Sequence, residues 1–183
     1  MQTISKDIVR RCKDGDKNAF RMIVVQYQRM IFSLAIKMLG DEEEAKDTVQ
    51  DVFMKAWLEM RRYDEQYELS TWLYTIASRV CLDKKRKMKR IVPLPTDEEV
   101  LRDYCASDMQ HQLENREWVS IVRVIAEGLS DKQRLVFTLS QLEGLKSQQI
   151  EEITGLDATQ VKSNLYVARK SVKERLKKLG YEE

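Results

Sequence analysis

Apolar residues recur at a helical period along most of this chain, and one stretch near the middle breaks the pattern. Both prolines, Pro93 and Pro95, fall in that stretch. Glycine is scarce elsewhere, whereas Leu, Met, Lys, Glu, Gln and Arg, which suit helices, are common. Neither strand-like alternation nor an internal repeat is present. The pattern therefore predicts an all-α protein: two small helical domains joined by a linker.

In the first half, Phe20, Ile23, Val24, Tyr27, Ile31, Leu34, Ala35 and Met38 mark one amphipathic helix over residues 19–39, which Gly40 ends. Asp41 opens the next helix. Glu42, Glu43 and Glu44 follow in its first turn, where the helix dipole favours negative charge. Its inward face is Ala45, Val49, Val52, Phe53, Ala56, Trp57 and Met60. A polar stretch from Arg61 to Glu68 precedes a third helix starting at Ser70 or Thr71, with Trp72, Leu73, Ile76, Ala77, Val80 and Cys81 inward. That helix runs into Lys84 to Arg90, where only Met88 is not basic. Residues 1–90 thus form the first domain.

Residues 91–115 hold both prolines and the acids Asp97, Glu98, Glu99, Asp103, Asp108 and Glu114. A stretch of that length without a helical pattern reads as an acidic linker. Residues 116–183 form the second domain. Val119, Val122 and Ile125 share one helical face, and Leu129, Leu135, Val136, Leu139 and Leu142 share the next. Glu143-Gly144 breaks the chain, and Ser147 to Thr154 makes a short helix. Gly155 suits a helix C-cap, and Asp157 with Gln160 suits a capping box at the start of the last helix. That helix buries Val161, Leu165, Ala168, Val172, Leu176 and Leu179.

Several function classes drop out. With 32 Lys and Arg against 30 Asp and Glu, the positions of the charges say more than their sum. No apolar run approaches a membrane span, and residues 1–7 do not resemble a secretory signal. Cys12, Cys81 and Cys105 are an odd, widely spaced set, which fits a reducing cytoplasm better than a disulfide framework. His111 and Cys105 lack the neighbours of a zinc site. Without a phosphate loop or a nucleophile pattern, the chain is expected to have no catalytic residues, metal, cofactor or small-molecule substrate.

Two features point to nucleic acid. A short helix, a Gly-containing turn and a longer basic helix make a helix-turn-helix, whose second helix enters the major groove. Away from its apolar stripe, that helix offers Thr159, Lys162, Ser163, Tyr166, Arg169 and Lys170, of which the Lys, Arg, Ser and Thr side chains can donate to bases or phosphates. The alternative is an ordinary helical hairpin with a solvated charged face. The second feature is the basic stretch from Arg79 to Arg90, preceded by Tyr63, Tyr67, Trp72 and Tyr74. Cations beside aromatic rings suit a single strand or a flipped base. Here the alternative is that Trp72 is core and the lysines are a solvated helix end.

These residues resemble a family, the extracytoplasmic-function group of bacterial RNA polymerase sigma factors, over nearly the whole chain. Ala45-Lys46-Asp47-Thr48-Val49-Gln50-Asp51-Val52-Phe53-Met54-Lys55-Ala56-Trp57 resembles the family's polymerase-binding helix. Ser70-Thr71-Trp72-Leu73-Tyr74-Thr75-Ile76-Ala77, with Asp83 and the basic run, resembles its promoter −10 segment. Leu129-Ser130-Asp131-Lys132-Gln133-Arg134-Leu135-Val136-Phe137, Leu142-Glu143-Gly144-Leu145 and Val161-Lys162-Ser163 resemble its −35-binding domain.

The resemblance implies a sigma factor that binds core RNA polymerase and directs promoter recognition and melting. Asp47, Gln50, Asp51, Phe53 and Lys55 would dock on the polymerase clamp. Ser70, Thr71, Trp72, Arg79, Lys84, Lys85 and Arg86 would hold the unpaired −10 element, and the last helix would read the duplex −35 element. An anti-sigma protein, commonly membrane-anchored in this family, would be a further partner. The acidic linker would run through the polymerase's nucleic-acid channel as a mimic of nucleic acid. The chain departs from the family at Arg79, where Asn is usual, at Asn164 and Val167, where Arg is common, and at Lys46, which replaces a common acid. The second reading is a helix-turn-helix regulator that binds duplex DNA alone as a dimer. The third is an interaction factor whose basic faces meet acidic protein.

Overall fold

A computed structural model describes residues 4–91 and 128–178, with backbone only at 89–91. The linker acids, Cys105, His111 and the stretch from Trp118 to Ile125 lie outside the described residues.

The first unit is built on one long helix. α2 spans Lys17–Leu39 and starts where Asp16 Oδ1 accepts the backbone N–H groups of Asn18 and Ala19. It ends at Gly40, whose φ of 72° is left-handed and whose N–H donates to the Ile36 carbonyl. Ile23, Ile31, Leu34 and Met38 on its inner face are fully buried. α1 (Lys6–Lys13), α3 (Glu42–Glu59) and α4 (Leu69–Ile91) pack around it. Length and apolar content alone would let α2 cross a membrane, contrary to the expectation from sequence. Its apolar side is spent instead on the three surrounding helices.

Asp41 caps α3 as expected, accepting the Glu44 N–H at 2.9 Å. α1 was not anticipated. It has eight residues, buries only Val9 and Cys12, and starts where Ser5 Oγ accepts the Ile8 N–H. A 3-10 turn at Met60–Arg62 leads from α3 into the loop before α4. The Tyr63 hydroxyl ties that loop by donating to the Tyr67 carbonyl at 2.7 Å.

In the second unit, α5 (Asp131–Phe137) begins with a reciprocal Ser130–Gln133 capping box. It widens into a π turn at Thr138–Leu142. α6 (Ser147–Thr154) ends at Gly155, left-handed at φ 70°. α7 (Ala158–Lys178) starts with the expected Asp157–Gln160 capping box: each side chain accepts the other's backbone N–H, at 2.8 and 3.2 Å. Val161, Ala168 and Val172 of α7 face inward. No strand occurs among the described residues.

The two units pack together. α6 lies against α4, and the π turn lies against α2. Leu135, Val136, Leu139, Ile150, Ile153 and Val161 join the same hydrophobic core as Leu34, Leu73 and Val80. The sequence left this arrangement open, because its linker permits a compact or an extended molecule alike.

Candidate polymerase and nucleic-acid interfaces

The recognition helix is presented openly. Thr159, Lys162, Ser163, Tyr166, Arg169 and Lys170 on α7 are all exposed, as the sequence predicts for that face. The buried Ile150 and Ile153 of α6 and the Gly155 turn set α7 at its angle. Tyr166 and Val167 are also exposed. They give this face an apolar portion able to meet a thymine methyl group. The Asn164 amide turns back on its own helix, donating to the Gln160 carbonyl at 2.8 Å.

The residues that the resemblance assigns to the −10 element are held very differently. Thr71 is only 4% exposed, and Trp72 is half-buried with its ring tilted against Tyr63 at 4.9 Å. Lys13 Nζ lies 5.5 Å from the Tyr63 ring on its own account. Ser70 Oγ donates to Glu68. Lys84 bridges to Glu44 and Asp51 of α3, each at 3.3 Å. Burial works against the Lys84 charge, but those two carboxylates outweigh it and raise its pKa. Lys85 pairs with Asp131 of the second unit at 3.2 Å. Arg79 and Arg86 remain exposed, and Arg86 pairs with Asp83 on its own helix.

A cleft of about 330 Å³ runs between the Gln66–Glu68 loop with Thr71 on one side and Gln148, Gln149 and Glu152 of α6 on the other. A second cleft of about 170 Å³ brings Ser78 and Arg79 against Glu152, Ile153 and Gly155.

On α3, Asp47, Gln50 and Lys55 are exposed and Asp51 is half-buried beside Lys84. Phe53 corrects an expectation. It is 7% exposed and meets Phe20 edge to face at 6.3 Å, so its ring belongs to the core and not to a docking face. Residue types alone missed Met54 and Leu58, which are 60% and 74% exposed beside Gln50 and Lys55. Their i, i+4 spacing makes an apolar pair on the outer face of α3. Lys46 is taken up by Glu42 and Glu43 one turn before it.

Glu143, read from sequence only as part of a chain break, is a meeting point. Its Oε1 accepts Lys37 Nζ at 2.7 Å and Ser33 Oγ at 2.9 Å, and its Oε2 accepts the Tyr74 hydroxyl at 2.9 Å. Burial, and after it the Glu143 charge, push the Tyr74 phenol far up, so it stays protonated and donating. The Arg134 guanidinium donates to the Lys37 carbonyl at 3.1 and 3.3 Å.

A helix-turn-helix with an open recognition face, joined to a helical unit that carries a basic helix and an acidic-apolar outer face, defines a DNA-binding transcription protein. Comparison with known proteins narrows the class. The family description Sigma-70 region 2 matches residues 23–91, and Sigma-70, region 4 matches residues 121–172. The ECF RNA polymerase sigma factor SigW of Bacillus subtilis is 29% identical, over 98% of this chain and 100% of that protein. The ECF RNA polymerase sigma-E factor of Escherichia coli K12 is 25% identical, over 97% of each. In fold, the chain is similar to CnrH, solved in complex with the cytosolic domain of CnrY (TM-score 0.70, 19% identity, 95% of this chain and 97% of that one). It is also similar to the sigma factor RpoE solved with the anti-sigma factor NepR from Bartonella quintana (TM-score 0.64, 22% identity, 86% and 96%). The chain belongs to the sigma-70 family of RNA polymerase sigma factors, and its relatives are of the extracytoplasmic-function group.

Proposed function

We propose that this chain is the promoter-recognition subunit of a bacterial RNA polymerase: it binds the core enzyme and directs promoter recognition and DNA melting. The observation that carries this is the order of its parts. A region 2 unit with a basic helix is followed by a region 4 unit with an open recognition helix. Residues 1–90 take the polymerase and the unpaired −10 strand, residues 91–115 link, and residues 116–183 take the −35 duplex.

On α7, Thr159, Lys162, Ser163, Arg169 and Lys170 supply donors to bases and phosphates, and Tyr166 supplies a ring. On α3, Asp47, Gln50, Asp51 and Lys55 dock on the polymerase, with Met54 and Leu58 as the apolar centre of the contact. Ser70, Thr71, Trp72, Arg79, Lys84, Lys85 and Arg86 hold the single strand. The chain works by binding, in the cytoplasm where the DNA lies, and the chemistry of RNA synthesis stays with the core enzyme. An anti-sigma protein is a further partner, by likeness to the fold seen in the CnrH and RpoE complexes.

Run-off transcription with bacterial core polymerase tests this, on fragments that include the promoter upstream of the chain's own gene. Transcripts from a defined start that need the chain are expected. No transcript, with no co-migration of chain and core on a sizing column, would overturn the reading. It would favour a regulator that binds duplex DNA alone.

A further inference from the structure

We infer that Lys13 of α1 is a positioning residue for −10 recognition: it braces the loop before α4, and through Tyr63 the Trp72 ring. The inference rests on assigning the start of α4 to the unpaired −10 strand. It adds to that assignment a residue that acts through others.

The contacts converge on Tyr63. Lys13 Nζ pairs with Glu65 Oε1 at 2.7 Å, across 52 positions of sequence. The same ammonium lies over the Tyr63 ring, 5.5 Å from its centre, where the ring's negative face attracts a cation. The Tyr63 ring in turn tilts against Trp72 at 4.9 Å. Tyr63 is buried, and its hydroxyl holds the Tyr67 carbonyl at 2.7 Å. Burial, and after it the Glu65 charge, push that phenol up to about 12, so it stays a donor at neutral pH.

Two other carboxylates of the loop bond locally. Asp64 accepts the backbone N–H and the side-chain amide of Gln66, and Glu68 accepts the Ser70 hydroxyl. Glu65 instead reaches out to another helix. The local bonds close the loop on itself, whereas Lys13 ties it to α1, which packs against the 3-10 turn at Met60–Arg62. The short helix α1, with only Val9 and Cys12 buried, thereby has a use beyond the core.

A group that reads a base must be held in place by its neighbours. The Lys13–Glu65 pair is partly open to water, with side chains 26% and 41% exposed, so it adds little to global stability. What it sets is the position of Glu65 and Tyr63, and hence the surface that Trp72 offers a strand.

Run-off transcription by the full-length chain with core polymerase tests this. The templates are the promoter upstream of its own gene and single-base substitutions across the −10 and −35 elements. The readout is discrimination: the yield from the original promoter divided by that from each substituted one. This ratio cancels any general change in attraction to phosphates, which carry no sequence information. Lys13→Met should lower discrimination at the −10 element roughly fivefold and leave it unchanged at −35. Glu65→Ala should do the same to a smaller degree, because the contact of Lys13 with the ring survives. Lys13→Arg should retain −10 discrimination, since a guanidinium can keep both the pair and the ring. Unchanged −10 discrimination in Lys13→Met would overturn the inference. So would an equal loss at −10 and −35, the mark of a general loosening of the fold. Should Lys13→Met fail to fold, Glu65→Ala decides. An unaltered chain indifferent to −10 substitutions would overturn the assignment of α4 and the inference with it. Normal discrimination by the unaltered chain, unmoved in Lys13→Met, overturns the inference alone.

Discussion

The two nucleic-acid regions of this molecule are built by opposite rules. The helix α7 turns its apolar stripe inward and leaves all six residues proposed to contact DNA exposed. The basic helix α4 belongs to the central core, and two of its cations are already engaged by other elements: Lys84 by Glu44 and Asp51, Lys85 by Asp131. A region that reads intact duplex can be ready in advance. One that captures bases exposed by melting has a target only after the duplex opens, so its ligands can be held by internal partners until then.

The comparison breaks most severely through the shared core. Leu34 is fully buried in α2, within the core that both units join. Leu34→Ala should cost about 2–5 kcal/mol. Thermal unfolding should remain one transition at a lower temperature; two separated transitions would mean the units are energetically independent.

At the open region, Lys162→Glu should reduce promoter use by about 1–3 kcal/mol of discrimination, or about 5- to 150-fold in run-off yield. Co-migration with the core enzyme should be unchanged, since Lys162 lies on the exposed face of α7, remote in sequence from α3, the helix proposed to dock on the polymerase.

A smaller effect is expected where the cation is tied internally. Lys84→Met should cost about 0.5–1 kcal/mol in urea unfolding at neutral pH, because the pair is only partly buried. The Lys84 pKa is raised in the folded chain, so its contribution is complete below the ordinary lysine range and fades as the pH climbs through the raised value. The unaltered chain and Lys84→Met should therefore converge in stability at strongly alkaline pH.

Gly155→Ala should cost about 1 kcal/mol, since φ at 70° is left-handed, although a methyl group would meet no neighbour there. The smallest effect concerns thiols. Burial raises Cys12 to about 11 and Cys81 to about 12, so both should alkylate slowly at neutral pH until the chain unfolds, read by mass spectrometry of their peptides.

Much of this was legible because helices announce themselves locally. Asp41, Asp157 with Gln160, Gly40 and Gly155 act within one turn of their own positions, and each does what its type predicts. The exposed face of α7 follows from the 3.6-residue period in the same way. The rest depends on neighbours distant in sequence. Phe53 matched a docking motif, yet Phe20 claims its ring. Met54 and Leu58 read as ordinary apolar residues until α3 is seen to leave them outside. Glu143 meets partners 69 to 110 positions away, a pairing no periodicity encodes. α1 escaped notice because eight residues with two inward side chains make a faint pattern.

Permanganate footprinting of a transcribed promoter tests most directly whether the covered region captures the melted strand. Thymines upstream of the start should become reactive only when core polymerase and chain are both present. Arg79→Ala combined with Lys85→Ala should diminish that reactivity while leaving protection of the −35 duplex intact. Full thymine reactivity with both cations removed would contradict the assignment of α4 to the single strand.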